Sequence, residues 1–281
     1  MKFIELGKVS RQLFLIASIA INSSLIGAMP SFAAQFQLYD SSSNVLPETY
    51  DSPDYIGPNQ KSLAFGASGG SPTRSPVTNL NTTSNNGISA GYTNYAFVSQ
   101  VNSQFPVLDR TLGYTLSFGV QIASQTNISN DRAGFSVIAL SSDLQGIELG
   151  FWQNEIWAQN VGFTHAEGNT SVSGLTSALT NYDLTILNNS YSLSTNGSTI
   201  LTGSLRNYSP AGFPYNLPNF VFLGDDTTSA SANVNFGNIS IAVPFEFSPA
   251  LGLGILISGS ILAKYTKRTK RRSIQKANQK S

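Results

Sequence analysis

The chain has 281 residues, a formal net charge of +1 and no cysteine. Without cysteine it has no disulfide framework, no cysteine nucleophile and no cysteine-ligated zinc. Residues 35–243 carry five basic and 13 acidic side chains, a net charge of −8, so the near-neutral total hides an acidic central region. A region so poor in lysine and arginine disfavours nucleic acid as a partner.

Residues 1–33 have the pattern of a secretory signal helix. A basic start is followed by a mostly apolar stretch at 13–26, and small residues precede the predicted cleavage at Ala33 or Ala34. An uncleaved membrane anchor is the alternative, but polar residues 22–24 interrupt the apolar run. We therefore expect signal peptidase to release an exported chain.

Residues 34–104 form the N-terminal part of the expected ectodomain and are dominated by serine, asparagine and glycine. Short apolar patches within them are compatible with outer strands of a sandwich. Residues 68–87 contain almost no apolar side chain and several turn dipeptides, which predicts a long loop.

Residues 105–242 have the periodicity of β-strands. Leu116, Phe118 and Val120 alternate with polar or small residues, the two-residue period of a half-buried strand. The apolar run at 134–140 suits a strand in the sandwich interior. The alternating stretch at 147–151 and the segment after it predict a hairpin.

The second half of this region predicts a three-stranded meander followed by two closing strands. The meander comprises residues 182–187, 191–194 and 198–205, joined by Asn-Asn and Asn-Gly turns, and Asn-Gly is the strongest short hairpin signal. The closing strands are expected at 219–224 and 232–243.

The predicted fold is therefore all-β, a two-sheet antiparallel jelly-roll-like sandwich, with an N-terminal signal helix and one C-terminal transmembrane helix. The meander resembles a stretch of laminin-G-like and concanavalin-A-like jelly rolls. This resemblance implies two packed antiparallel sheets and no particular function. The matching residues are Tyr191, Leu193, Asn196, Gly197, Ile200, Gly203 and Leu205.

The C-terminal end combines a short motif, an apolar run and a basic cluster. Residues 247–263 carry no charge and are just long enough to span a hydrocarbon core. The basic cluster opens the tail at 264–281 and predicts that this end lies in the cytoplasm, with the sandwich on the outer side. The motif residues are Val243, Pro244, Phe245, Glu246 and Pro249.

This arrangement at 243–272 resembles PEP-CTERM sorting signals, in the VPFEFSP variant found in cyanobacterial proteins. The resemblance implies an exosortase-like membrane protease as a partner and delivery to the cell surface or extracellular space. The ectodomain as a whole also resembles the uncharacterised anchor-associated domains that accompany such tails, a resemblance that implies no activity. Pro-Phe-Glu in place of Pro-Glu-Pro is a departure from the common pattern. An uncut tail anchor is the alternative explanation.

Candidate catalytic residues are few, and we predict no catalytic site. Jelly-roll glycosidases place two carboxylates on alternate residues of one strand. Glu148, which lies between two glycines, and Glu155 come nearest to this pattern, but the Glu-x-Asp-x-x-Glu run is missing. His165 is the only histidine and lacks the partners that a zinc site or a nucleophile elbow needs.

A second group of residues suits ligand binding. Trp152 and Trp157 flank a short turn, where they either stack on sugar faces or pack in the core. Asp225 and Asp226 follow a strand, where they offer calcium ligands or simply cap a turn. We predict no cofactor, with calcium as the alternative at this rim. The candidate ligand-binding residues are Trp152, Trp157, His165, Glu167, Asp225 and Asp226.

We therefore expect an exported, non-catalytic sandwich that binds extracellular polysaccharide or forms part of the matrix. The alternative is a glycan hydrolase or lyase on the same fold, which requires ionisable side chains that converge on the concave face. A purely structural surface protein is the third hypothesis, and it predicts no cleft.

Overall fold

The computed structural model describes residues 33–52, 61–172 and 174–244. Single-turn 3-10 helices lie at Ser41–Ser43, Pro47–Thr49 and Ser209–Ala211. The strands are, in chain order, β1 (Ala33–Tyr39), β2 (Ala64–Ser68), β3 (Asn79–Asn81), β4 (Ser89–Thr93), β5 (Tyr95–Ala96), β6 (Ser99–Gln100), β7 (Tyr114–Asn127), β8 (Ser136–Leu140), β9 (Gln145–Phe151), β10 (Ile156–Gln159), β11 (His165–Asn169), β12 (Thr180–Leu187), β13 (Ser190–Thr195), β14 (Ser198–Ser204), β15 (Arg206–Asn207), β16 (Phe220–Asp225) and β17 (Ala230–Pro244).

These strands form two antiparallel sheets and a short hairpin. The seven-stranded sheet has the order β1-β17-β7-β12-β13-β14, and β3 pairs with another part of β17. The eight-stranded sheet has the order β11-β10-β9-β8-β16-β4-β2, and β15 pairs with β9. Strands β5 and β6 form the separate hairpin.

The two sheets pack face to face around one hydrophobic core, which confirms the predicted all-β sandwich. Phe118 on β7 meets Phe151 on β9 with ring centroids 5.8 Å apart, and Phe236 on β17 meets Tyr92 on β4 at 5.4 Å. Because strand side chains alternate between faces, every second residue of the eight-stranded sheet points away from this core. We call that side the outer face.

The regular strand patterns are confirmed. The alternation around Leu116 is the inward face of β7, and the apolar run at 134–140 contains the fully buried β8. Strands β9 and β10 form the predicted hairpin, and β12, β13 and β14 form the predicted meander.

The N-terminal part of the ectodomain contributes to both sheets. Strands β1 and β3 pair with β17, whereas β2 and β4 extend the eight-stranded sheet beyond β16. The segment predicted as a loop at 68–87 therefore includes a three-residue strand, β3. Ala33 and Ala34, the predicted cleavage residues, begin β1 and lie opposite Pro244 and Val243 of β17.

Part of the sequence prediction falls outside the described residues. The signal helix, the segment at 247–263 and three sorting-motif residues, Phe245, Glu246 and Pro249, lie there. Across 33–52, 61–172 and 174–244, no helix is long and apolar enough to cross a membrane.

One connection covers part of the outer face. Residues 208–219, which we call the cover segment, join β15 to β16. Their buried side chains Tyr208, Tyr215 and Leu217 pack on outer-face residues of β8 and β16 and form a second hydrophobic cluster. This cluster supports one wall of a groove on the outer face.

Candidate ligand-binding groove

A groove of about 650 Å³ lies on the outer face where β16, β4 and β2 adjoin. This is within the size range of ordinary small-ligand sites. Its floor consists of small residues: a Cβ at Gly66 would have no atom within 4 Å, so the space above β2 is open. A Cβ at Gly91 would come within 2.4 Å of the Phe222 ring, so glycine there allows this ring to lie against β4.

The groove has aromatic walls on two sides. Phe97 lies at the tip of the β5–β6 hairpin and is 86% exposed. Phe213 belongs to the cover segment and is 59% exposed, and Phe222 on β16 lines the same groove and is half-buried. Exposed rings that border one groove form a surface on which a flat apolar face can stack.

Phe97 is held in an unfavourable backbone conformation. Its φ of 59° lies in the left-handed region, which costs a bulky residue roughly 1–2 kcal/mol. The neighbouring turn residue, Val98, is 72% exposed, so this hairpin tip buries little apolar surface in return. A strained and exposed aromatic residue of this kind points to a functional role.

Polar groups lie along the floor and at the end formed by β16. Ser68, Ser89 and Thr93 place hydroxyls on the outer-face positions of β2 and β4. Asp226 follows β16 directly, is exposed, and borders the groove. The groove thus combines a largely apolar surface with a few hydrogen-bonding groups.

Behind Asp226 lies a buried carboxyl. Glu148 points to the outer face from β9, is 4% exposed, and accepts a hydrogen bond from the Tyr215 hydroxyl at 2.6 Å. The same hydroxyl lies 3.2 Å from Asp226 Oδ2. Burial, together with the nearby Asp226, raises the pKa of Glu148 well above its ordinary value.

The two aspartates predicted as a calcium rim point to opposite sides of the sheet. The carboxylate of Asp225 is buried, where it accepts hydrogen bonds from the Thr82 hydroxyl at 2.6 Å and from the Thr227 N–H at 3.2 Å. Asp226 faces Tyr215 on the outer side. The adjacent carboxylates therefore do not converge on one ion. In the described parts of the chain no group of three acidic or histidine side chains could hold a metal.

The other predicted binding residues come together at β10 and β11. The Trp157 ring stacks on His165 at 4.6 Å, and Trp152 lies 5.5 Å from Trp157. His165 Nε2 lies 3.0 Å from Glu155 Oε1. Trp157 is only 1% exposed, so it packs on the sheet and does not present a free face. This cluster lies about 14 Å from the groove, three strand spacings along the sheet.

Glu167, the last predicted binding residue, takes part in the closure of the sandwich edge. Its carboxylate accepts a hydrogen bond from the Tyr191 hydroxyl at 3.0 Å and pairs with Arg206. Burial by itself raises the pKa of Glu167, but hydrogen bonds and charge pairing with Arg206 outweigh it, so the pKa is lowered. These contacts join β11 to β13 and β15.

Sequence reasoning missed the groove residues Phe97, Phe213 and Phe222. Phe213 lies between Gly212 and Pro214, and Phe97 lies in the two-residue turn between β5 and β6. A large apolar residue flanked by glycine, proline or a two-residue turn was the available signal, because such a residue has no regular element in which to be buried.

No protein-family model matches this chain, and no curated protein matches it by sequence. Among similar solved structures is the VIP36 exoplasmic/lumenal domain in its Ca²⁺/Man2-bound form, at 10% identity and a TM-score of 0.42, covering 74% of this chain and 90% of that one. Another is domain 4 of AbnA, a GH43 extracellular arabinanase from Geobacillus stearothermophilus, in complex with arabinotriose, at 13% identity and a TM-score of 0.38, covering 76% and 94%.

The receptor-binding domain of botulinum neurotoxin mosaic serotype C/D is also similar, at 11% identity and a TM-score of 0.41 over 81% of this chain. The chain covers 51% of that domain, about half its length. Likenesses this distant transfer neither a function nor a site residue to this protein.

Proposed function

We propose that this protein is an exported cell-surface or matrix protein whose β-sandwich binds polysaccharide in the groove between Phe97 and Phe213. The observation that carries the proposal is the pair of exposed aromatic rings above an open floor at Gly66. A pyranose ring has apolar faces and a rim of hydroxyls. The aromatic walls suit the faces, and Ser68, Ser89 and Asp226 suit the rim.

The charge of the region favours a neutral polymer as the ligand. Residues 35–243 carry a net charge of −8, and the groove is bordered by the exposed Asp226 but by no lysine or arginine. A polyanionic chain would be repelled at this surface. Neutral exopolysaccharide is therefore the ligand class that we propose.

Binding is supported over hydrolysis by the position of Glu148. Glu148 and Asp226 do converge on the outer face, which is the arrangement that the hydrolase alternative requires. However, Glu148 lies under Tyr215 and does not border the groove, so Asp226 is the member of the pair that a ligand there would meet. Release of reducing ends from the bound polymer would favour the hydrolase alternative.

The binding proposal is tested by affinity electrophoresis in gels that contain neutral or acidic polysaccharides, with and without calcium. We expect retardation by a neutral polymer. Phe97→Ala and Phe213→Ala each remove a stacking surface worth about 1 kcal/mol, so each should weaken binding about fivefold. Gly66→Leu should abolish binding, because a Cβ there would meet no atom within 4 Å and the rest of the side chain would occupy the groove.

Two matched variants serve as controls. Gly162 also has open space around its Cβ position but lies between β10 and β11, so Gly162→Leu should bind normally. Leu187→Ala is matched to the two Phe→Ala variants, because it removes a half-exposed apolar side chain at the end of β12 in the other sheet. It should also bind normally. If no polymer retards the protein, or if Gly66→Leu binds as well as Gly162→Leu, this groove is not a polysaccharide site.

The proposed export and sorting are tested by the intact mass of the protein from its native host. We expect the surface-associated form to lack residues 1–33 and the tail beyond about Pro249, because signal peptidase and an exosortase-like protease would remove them. A mass that retains the tail would indicate a permanent membrane anchor. A mass that retains both ends would contradict export by this route.

A further inference from the structure

Tyr215 connects the buried acid pair to the wall of the groove. Phe213 and Pro214 line the groove, and one residue later the Tyr215 hydroxyl contacts both Glu148 and Asp226. These contacts therefore link the wall to the acid pair.

The contacts of Tyr215 require a proton on the acid pair. The hydroxyl carries one hydrogen but faces two acidic oxygens, Glu148 Oε2 at 2.6 Å and Asp226 Oδ2 at 3.2 Å. That hydrogen can satisfy one of them. The other contact is a hydrogen bond only if its carboxyl is protonated and donates to the phenol oxygen. Two ionised carboxylates would leave one contact unmade and would repel each other.

The surroundings of Glu148 do little to stabilise a second negative charge. The titratable and charged groups that face it are Tyr208 and Tyr215 of the cover segment, Asp226 after β16, and Arg132 before β8. Arg132 is the one cation among these four, and its contribution to the pKa of Glu148 is smaller than those of burial and Asp226. Ionisation of the pair is therefore opposed while Tyr215 lies over it.

The two ends of the cover segment are fixed independently of Tyr215. Near the first end, the Tyr208 hydroxyl donates to the carbonyl of Gln159. At the other end, the Pro218 carbonyl accepts a hydrogen bond from the Tyr95 hydroxyl at 2.5 Å. Gly212, with a φ of 82°, supplies a backbone hinge between these anchors. Between these anchors the Tyr215 ring also packs 5.2 Å from Phe163 and 5.5 Å from Tyr208. Loss of the hydroxyl contacts would therefore remove the polar restraint on the middle of the segment, which contains Phe213 and Pro214.

We propose that Tyr215 is a pH-dependent latch on the groove: it holds Phe213 and Pro214 in the wall while Glu148 and Asp226 share a proton, and ionisation of both opens the wall. Its effect on ligand binding rests on the proposed polysaccharide function. The movement of the segment itself does not.

The direction of the pH dependence follows from the proton that the closed state holds. Once released from Tyr215, the carboxyls would have ordinary pKa values near 4. Closure is therefore fully favoured below that range and weakens as the pH rises toward the raised pKa of the closed state. While the closed state holds one proton more than the open state, the closure equilibrium changes about tenfold per pH unit.

Hydrogen exchange of the ligand-free full chain tests the latch. The reporters are the N–H groups of Gly212 and Leu217, which donate to the carbonyls of Ser209 at 3.0 Å and Pro214 at 3.1 Å. We expect their protection, corrected for intrinsic exchange rates, to fall by up to about tenfold per pH unit as the pH rises above about 5, until it passes the raised pKa of the closed state. In Glu148→Gln the amide can donate to the Tyr215 oxygen at every pH, so protection should stay high and flat.

Asp226→Asn is the second variant and should flatten the profile in the same way. Tyr215→Phe should lower protection at low pH, because the hydroxyl is lost while the ring remains. Asp183→Asn is the control, since Asp183 is an exposed carboxylate on the other sheet, and its profile should match the wild type. A flat wild-type profile, or a Glu148→Gln profile with the wild-type slope, would refute the latch.

Polysaccharide affinity across the same pH range separates the latch from the proposed function. A fall in affinity that parallels the loss of protection supports both. Loss of protection without binding of any polymer supports the latch and contradicts the polysaccharide function. Affinity and protection that are both independent of pH contradict the latch and leave the polysaccharide function standing.

Discussion

At the residue scale, strand alternation gives two adjacent aspartates different chemistry. Asp225 is 1% exposed, and burial raises its pKa to about 8. Asp226 points the other way, toward Tyr215 and the groove. The sequence pair Asp225-Asp226 resembles a calcium-binding rim, but the two-residue period of the strand separates the carboxylates. Their separation depends on the register of β16, which local composition does not encode.

The raised pKa of Asp225 predicts how stability depends on pH. The unfolded chain loses this proton near pH 4, whereas the folded chain keeps it to about pH 8. Folding therefore gains a contribution from Asp225 that is complete below about pH 4 and is lost as the pH rises through about 8. In Asp225→Asn, the free energy of unfolding should decline less steeply over this window. The difference in slope should correspond to the release of about one proton.

Urea denaturation at a series of pH values measures this slope. Asparagine keeps an oxygen to accept the hydrogen bond from the Thr227 N–H, so the variant should fold. Asp183→Asn, at an exposed site, should leave the slope unchanged. If Asp225→Asn and the wild type show the same decline from about pH 4 to about pH 8, Asp225 is ionised in the folded protein over that range.

At the scale of elements, the strands that the sequence predicts are those whose signal is local. The hairpin of β9 and β10 and the meander of β12 to β14 have alternating side chains and turn residues at their ends, so they could be located from the sequence. β3 lacks such a signal, because its three residues depend on β17. There the Asn79 side chain donates to Asn233 Oδ1 at 2.7 Å and Asn235 Oδ1 at 2.9 Å.

The cover segment also lacks a local sequence signal that would predict its position. Tyr208, Tyr215 and Leu217 follow no period, so the sequence indicates only a connection between β15 and β16. Their burial is decided by Ile138 and Leu140 of β8, which lie far earlier in the chain, together with Phe220 at the start of β16. The groove wall and the acid pair were unpredictable for this reason.

At the scale of the whole molecule, the N-terminal part and residues 105–242 form one sandwich. Strands β1 and β3 pair with successive parts of one edge of β17, opposite β7. Strand β4 pairs with the edge of β16 opposite β8, and β2 pairs with β4. The Tyr92 ring of β4 lies 5.4 Å from Phe236 in the core. The N-terminal strands are therefore part of the core, and the boundary near residue 105 is a change in composition.

This architecture predicts that residues 105–244 do not fold alone. Their removal from the rest would expose Phe236, Leu223 and Ile241, and would leave the edges of β16 and β17 without partners. We expect residues 33–244 to give one cooperative urea transition and a near-ultraviolet circular dichroism signal from packed aromatic rings. Residues 105–244 should give neither. A cooperative transition of the shorter chain would show that the N-terminal strands are peripheral.

The sequence by itself determined the all-β class, most of the strands and the sandwich, because alternation and turn chemistry act within a few residues. The tertiary structure decided which side chains share a face: it brought Phe97, Phe213 and Gly66 to one groove and placed Glu148 beside Asp226. Those positions depend on strand order and register, which arise from packing between segments 150 or more residues apart and leave no periodic trace in the chain.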